Sequence, residues 1–275
     1  MLAQCIRILH SAEACLLSLK YCCNVSSRHY CTLNNVISEK NIKRFIVENT
    51  EVVNGGNLTP EIRLRLFTPN CRFWHARPEL WPFTDPYWAI YWPGGQALAR
   101  YVLNNPGVTN NMKVLDLGSG CGASAIAAKM SGSAYVLAND IDPASVAGGE
   151  TCSFFLSISV AAIAAKLNCE LNGLAPLPSA TEDLIGLEPG RWDLVLLGDM
   201  FYDEALADGL HAWLRRCVRT HGTRVLVGDP GRAHLESHSV KTRLRPLARY
   251  QLPESVREEN YGLTTSTVWL YQPEL

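Results

Sequence analysis

The sequence has little charge and no long hydrophobic run. Charged residues make up 19% of the 275 residues, and the formal net charge at pH 7 is -1. Tight binding to a nucleic-acid backbone needs clustered Lys and Arg, so we expect no nucleic-acid partner. No apolar stretch approaches the ~20 residues that a helix needs to cross a bilayer, so we expect no membrane partner.

Cysteine patterns typical of metal or redox sites are also missing. The chain has 10 cysteines and 7 histidines. No Cys-x-x-Cys pair occurs in residues 39–275, and no histidine adds a metal-ligand spacing. We therefore expect no metal site and no catalytic thiol, and we expect reduced, buried cysteines.

Apolar residues are abundant, at 47% of the chain, which suits a globular catalytic domain with extensions. Predicted strands alternate with predicted helices. The run from Trp192 to Gly198 is nearly continuous in apolar residues, as in a central strand of a parallel sheet. The pattern predicts an α/β fold with a doubly wound, mostly parallel sheet.

The most informative stretch is Val114 to Gly122, with the sequence VLDLGSGCG. An apolar strand pattern ends there in three alternating glycines, Gly118, Gly120 and Gly122, and helix-forming residues follow. Glycine has no Cβ, so such a turn lets the backbone approach a ligand closely. The stretch predicts a strand, a tight turn and a helix start that together bind a nucleotide-like cofactor.

Two classes of cofactor compete for this turn. Gly118, Gly120 and Ala123 satisfy the relaxed fingerprint of dinucleotide-binding folds. Asp116, however, would repel a pyrophosphate and attract the ammonium group of S-adenosylmethionine. Asp140 follows Gly120 at about the ~20-residue spacing expected for an acid that binds ribose hydroxyls. These acids favour S-adenosylmethionine, and a plain glycine turn beside two solvated acids stays the alternative.

The same residues resemble the class I methyltransferases, with Asp116 to Gly122 as their first motif and Asp140 as their second. Longer strings resemble one mitochondrial family, the lysine methyltransferases of the electron transfer flavoprotein β subunit, from about Ile42 to the C-terminus. These strings are Pro86 to Gly95, Asn139 to Pro143, Gly198 to Asp203, Gly228 to Arg232 and Gly262 to Trp269. The resemblance implies a Rossmann-like, seven-stranded sheet with an antiparallel C-terminal strand pair and an N-terminal cap.

The resemblance also implies a function. It implies an S-adenosylmethionine-dependent protein-lysine N-methyltransferase whose protein substrate is the electron transfer flavoprotein β subunit. Methylation is expected to tune how that subunit docks with dehydrogenases, because it keeps the charge of lysine but removes hydrogen-bond donors. Association with a chaperone is a further implied partner.

Two residues after the apolar strand suit transfer to an amine. The acceptor must be neutral, although free lysine has a pKa near ~10.4, so a site needs a carboxylate or hydroxyl to hold the ammonium. Asp199 and Tyr202 match the Asp-x-x-Tyr motif of related protein-lysine methyltransferases. We assign Asp199 to orienting the lysine and Tyr202 to the rim of its pocket. The alternative is that Asp199 caps the helix that starts at Asp203–Glu204.

Two further cofactor contacts follow from the resemblance. Asp183 falls where the family contacts adenine, and Trp92 is expected to pack against the cofactor. The turn from Asp229 to Arg232 lines a substrate channel or is a plain turn. Class I enzymes that methylate exocyclic or amide nitrogens carry Asn-Pro-Pro-Tyr where this chain has Asp199 to Tyr202, and a carboxylate suits a cationic acceptor better.

The chain divides into three predicted regions. Residues 1–38 are basic, acid-poor and contain serines, which predicts a mitochondrial transit peptide and the mitochondrial matrix as destination; a disordered leader is the alternative. Residues 39–95 form an N-terminal cap and an aromatic lid. Residues 96–275 form the methyltransferase domain.

Residues 144–160 depart from the family as an atypical, partly apolar insertion. We interpret it as a retained intron fragment or gene-model error, and a genuine loop insertion is the alternative. An insertion beside Asp140 would disturb cofactor binding. Two rival functions therefore stay open: a scaffold that has lost its cofactor, and a methyltransferase of another protein, a small molecule or RNA.

Overall fold

A computed structural model of the chain describes residues 38–76, 86–141, 159–260 and 262–273. The predicted transit peptide, part of the aromatic segment (including Trp81 and Phe83) and most of the 144–160 insertion lie outside the described residues. Within the described part, no helix is both long and apolar enough to cross a membrane.

The N-terminal cap consists of one helix and a small sheet. Helix α1 (Glu39–Asn49) begins where the Ser38 side chain accepts a hydrogen bond from the amide of Asn41, and it buries Ile42 and Ile46. Strands β1 (Glu51–Val53) and β2 (Leu64–Leu66) form an antiparallel pair. Apolar and charged residues alternate from Leu58 to Thr68, a pattern typical of a longer strand, but pairing is limited to the three residues of β1.

The main sheet has seven strands in the order β5-β4-β3-β6-β7-β9-β8. They are β3 (Lys113–Leu117), β4 (Tyr135–Asn139), β5 (Ser179–Ala180), β6 (Leu194–Gly198), β7 (Arg224–Asp229), β8 (Leu244–Gln251) and β9 (Thr265–Tyr271). Neighbours from β5 to β7 are parallel, and β9 is antiparallel to both β7 and β8. The predicted fold class and its antiparallel C-terminal pair are confirmed.

Among the described residues, six further α-helices accompany the sheet: α2 (Pro93–Asn104), α3 (Ala123–Met130), α4 (Val160–Leu171), α5 (Glu204–His221), α6 (Ala233–Ser237) and α7 (Glu254–Glu259). Two core clusters lie on opposite faces of the sheet. Along β6, Leu194 and Leu196 join the cluster that includes α2 and α3, whereas Val195 and Leu197 join the cluster that includes α5. Because both faces are covered, the strand is apolar at every position.

Helix α4 ties the glycine turn to the body of the protein. Ser159 caps it by accepting a hydrogen bond from the amide of Ala162, so the last two residues of the 144–160 segment open this helix. Farther along, Nδ2 of Asn168 donates to the carbonyl of Cys121 at 2.9 Å. The carboxyl ends of β3, β4, β6 and β7 meet at the same edge of the sheet, where α/β folds hold their ligands.

Candidate active site

The glycine turn has the backbone that its sequence predicts. Gly118, Gly120 and Gly122 have φ values of 69°, 50° and 80°, in the left-handed region. A Cβ on Gly118 would overlap the sulfur of Met200, and one on Gly122 would lie 2.8 Å from the Cβ of Ala165. A Cβ on Gly120 would have no neighbour among the described residues nearer than 3.9 Å. The space above Gly120 is therefore open to a ligand.

Asp140 holds this turn. Its Oδ2 accepts a hydrogen bond from the amide of Gly120 at 2.7 Å. The amides of Gly118 and Ser119 both donate to the carbonyl of Asn139 at 2.9 Å. The structure thus brings together the glycine turn and the second predicted acid. The contact of Asp140 with a ribose stays a prediction.

Asp116 lies beneath the turn. It is 2% exposed, and its Oδ2 accepts a hydrogen bond from the amide of Ala125 in the first turn of α3, at 2.9 Å. Burial raises the pKa of Asp116 to about 7. This contact fixes α3 against β3. An interaction of Asp116 with the amino group of a cofactor stays a prediction.

Asp199 connects helix α2 and Arg232 through its carboxylate. It follows β6 with a φ of 57° and is 5% exposed. Its Oδ2 accepts hydrogen bonds from the amides of Gly94 and Gly95 at the start of α2, and its Oδ1 accepts two from Arg232, at 2.9 Å from Nε and 2.6 Å from Nη2. The carboxylate thus faces a helix N-terminus and a guanidinium, both of which stabilise negative charge.

Asp199 does not cap α5, so that alternative is wrong. The N-cap of α5 is Asp203, whose Oδ1 accepts a hydrogen bond from the amide of Leu206 at 2.9 Å. Asp199 instead caps α2, which begins at Pro93.

A glycine contact brings α2 to Asp199. A Cβ on Gly94 would overlap the carbonyl of Gly228 in β7, and a Cβ on Gly198 in β6 would lie 2.9 Å from the amide of Gly95. The helix therefore packs directly on the backbones of the two strands. Because it approaches so closely, its first amides reach the carboxylate of Asp199.

The turn after β7 completes the cluster, and sequence reasoning left its role open. Asp229 is 1% exposed, and its Oδ1 accepts hydrogen bonds from the amides of Gly231 and Arg232. Its Oδ2 has no hydrogen-bond partner in the part of the chain that the structure describes. Burial, and then the nearby charge of Asp199, raise the pKa of Asp229 to about 7. Burial alone would lower the pKa of Arg232, but the charges of Asp199 and Asp229 outweigh burial and raise this pKa.

The remaining predicted residues are placed as follows. Tyr202 is 40% exposed, and burial, followed by the charges of Asp140 and Asp203, raises its pKa. The ring of Trp92 lies 5.5 Å from the guanidinium of Arg232, and its Nε1 donates to the carbonyl of Tyr87. Asp183 is exposed and accepts a hydrogen bond from the amide of Ile185, and its contact with adenine stays a prediction.

The residues present fit S-adenosylmethionine better than a dinucleotide. The turn leaves open space at Gly120, with the carboxylate of Asp140 beside it. The turn from Leu117 to Ala123 contains no Lys or Arg that would neutralise a pyrophosphate. A ligand that carries an ammonium group, a ribose and no phosphate matches this charge pattern.

Comparison with known proteins agrees with this site. Residues 88–242 match the family described as Lysine methyltransferase. Proteins named Electron transfer flavoprotein beta subunit lysine methyltransferase are 62% identical in Danio rerio, over 91% of this chain and 89% of that protein, and 58% identical in Homo sapiens, over 84% and 82%. A Caenorhabditis elegans protein named as their homolog is 34% identical, over 82% of this chain and 94% of that protein.

Solved structures that match this chain are more distant in sequence. The ribosomal protein L11 methylase of Lactobacillus delbrueckii subsp. bulgaricus has a TM-score of 0.40 at 18% identity, over 64% of this chain and 77% of its own. Magnesium protoporphyrin IX methyltransferase from Synechocystis PCC 6803 with bound SAM has a TM-score of 0.43 at 16% identity, over 65% and 79%. The sequence matches and the site together establish that this chain belongs to the lysine methyltransferase family and is an S-adenosylmethionine-dependent methyltransferase.

Proposed function

We propose that this enzyme methylates lysine side chains of the electron transfer flavoprotein β subunit. One observation carries the proposal: the cofactor turn held by Asp140 and the cluster around Asp199 lie at the carboxyl ends of neighbouring parallel strands. Met200, next to Asp199, lies against Gly118 of the turn. The relatives named for that substrate match most of this chain. The substrate is therefore the same protein in this proposal.

The bound cofactor supplies a methyl group on a sulfonium centre. The chain's own residues align the acceptor and keep water away from it. Tyr202 has a raised pKa, so its hydroxyl stays protonated at neutral pH and can accept a hydrogen bond from the lysine nitrogen. Tyr202 orients the amine in this scheme, and it does not act as the base.

Asp199 cannot hold a lysine ammonium without rearrangement, because it already accepts four hydrogen bonds. In this proposal its main task is to fix α2 and Arg232 at the mouth of the site. A lysine that approaches Oδ1 shares that oxygen with Arg232. The carboxylates of Asp199 and Asp229 still favour a cationic acceptor over an amide or an exocyclic base.

The setting of the reaction is also part of the proposal. Residues 1–38 direct the protein to the mitochondrial matrix, where the modified lysines lie near the surface on which dehydrogenases dock. Methylation removes hydrogen-bond donors from those lysines but keeps their charge, so it weakens docking without abolishing it. Binding of methylated and unmethylated β subunit to a dehydrogenase measures this, and equal affinities would contradict it. Association with a chaperone stays a prediction.

The test is methyl transfer with purified components. The enzyme is incubated with the recombinant β subunit and labelled S-adenosylmethionine, and modified lysines are located by mass spectrometry. We expect label in lysines of the β subunit and a drop of at least about tenfold for Tyr202→Phe, since an orienting hydroxyl is lost.

Two outcomes would overturn the proposal. Label in RNA or a small molecule, with none in the β subunit, would support another methyltransferase. No heat of binding when S-adenosylmethionine is titrated into the enzyme would support a scaffold that has lost its cofactor.

A further inference from the structure

A second cavity lies beside the active site, between the N-terminal cap and helix α7. Its volume is about 140 Å³. Strand β2, the segment before α2, the start of α2 and helix α7 all contribute to its walls. The described residues that line it include Phe67, Trp74, Ile90, Tyr91, Gln96 and Glu259.

The cavity combines aromatic walls with one unpaired acid. Glu259 is half-buried, and its side chain makes no hydrogen bond or ion pair with any described residue. No Lys or Arg occurs among the described residues of the lining. Burial, and then the neighbouring charge of Glu258, raise the pKa of Glu259. A cation in this cavity would relieve both effects, because it would supply the missing opposite charge.

The cavity and the active site share one wall. Gln96 lines the cavity and donates from Nε2 to the carbonyl of Tyr91 at 2.7 Å. Gly94 and Gly95, which bind Asp199, precede it in the first turn of α2, and one helical turn spans about 5.4 Å. Helix α7 joins β8 to β9 at the same edge of the sheet as the glycine turn, because β9 is antiparallel to β7.

We propose that this cavity binds a second basic side chain of the protein substrate, a lysine or arginine close to the lysine that is methylated. This inference rests on the proposed function. The volume is close to the ~150 Å³ that holds a benzene ring in an engineered cavity, so it suits the stem of one long side chain. Aromatic faces attract cations, and the Glu259 carboxylate pairs with the charged head.

Glu259→Gln tests the proposal, with Glu258→Gln as the matched control. Both substitutions remove one charge from α7, but Glu258 is exposed and does not line the cavity. With the β subunit as substrate, we expect Glu259→Gln to raise KM about fivefold with kcat unchanged, as for loss of a partly screened ion pair. Glu258→Gln should leave KM and kcat unchanged. The difference in KM between Glu259→Gln and wild type should become smaller at high salt.

Two measurements keep the outcomes distinct. Thermal melting and titration with S-adenosylmethionine should give wild-type values for both variants, which excludes misfolding. The equilibrium affinity of wild type and Glu259→Gln for the β subunit is measured separately from methyl transfer. Equal KM and equal affinity in an active enzyme would overturn the cavity proposal alone. Weaker binding by Glu259→Gln without any methyl transfer by wild type would overturn the proposed function alone, and absence of both binding and transfer would overturn both.

Discussion

Removing Arg232 should destabilise the protein far more than removing an exposed arginine. The Arg232 side chain is 17% exposed and Asp199 is 5% exposed, and the pair is joined by two hydrogen bonds. Deleting one partner of a buried ion pair typically costs about 3–5 kcal/mol, because a charge stays buried without compensation. Asp199 keeps the amides of Gly94 and Gly95, so we expect about 3 kcal/mol for Arg232→Met, the low end of that range.

Arg216→Met is the matched control for this prediction. Arg216 lies 3.7 Å from Glu188, with side-chain exposures of 42% and 92%. An ion pair so exposed contributes about 0–1 kcal/mol, so the control should change stability little.

The measurement is the free energy of unfolding from urea denaturation, for wild type and both variants at one pH and salt concentration. If Arg232→Met and Arg216→Met lower the free energy of unfolding by the same small amount, Arg232 does not compensate the charge of Asp199.

Three further predictions concern the cofactor turn and the buried acids. Gly118→Ala should weaken S-adenosylmethionine binding at least about tenfold in calorimetry, because its Cβ would overlap Met200. Gly173→Ala, at a similar φ of 67° but in open space, should leave that affinity unchanged. Asp140→Asn should also weaken binding about tenfold, because a neutral amide holds the turn less firmly. The folded-state pKa of Asp229 is raised to about 7 from 3.8, so the unfolded chain loses this proton first and stability falls as pH rises between those values. Asp229→Asn should therefore flatten the fall in unfolding free energy between about pH 4 and about pH 7.

Each of these predictions has a contradicting result. Wild-type affinity in Gly118→Ala would mean that the turn does not bind the cofactor. Wild-type affinity in Asp140→Asn would mean that the charge of this carboxylate is not needed to hold the turn. Equal losses in Gly118→Ala and Gly173→Ala would indicate a general effect of backbone strain. A fall of stability with pH that is unchanged in Asp229→Asn would show that this carboxyl is not the titrating group.

The sheet was predictable because its signals are local. Strand β6 is apolar at consecutive positions because both faces of the sheet are covered. The alternating glycines from Gly118 indicate the turn directly, because the turn needs positive φ values. The cluster around Asp199 was not predictable in the same way. Its amide donors lie on α2, far away in sequence, and they reach the carboxylate only because glycines face one another between helix and strands.

Sequence reasoning also missed what Asp229 and Arg232 do together. An acid followed by Pro-Gly-Arg at the end of a strand was the available signal, but a plain turn has the same composition. Only the folded chain shows that the arginine bends back to Asp199 while the acid stays buried beneath it. Glu259 escaped notice because its chemistry depends on aromatic residues from distant segments.

The anchoring of α4 bears on how freely the chain can vary between β4 and α4. Asn139 on one side and Ser159 on the other are each fixed by contacts of their own, to the glycine turn and to the first turn of α4. Joining two fixed points by a longer connection costs only about 0.6 kcal/mol for each doubling of its length. A longer connection at this junction therefore costs little folding free energy, while the contacts of Asn139 and Ser159 fix its two ends.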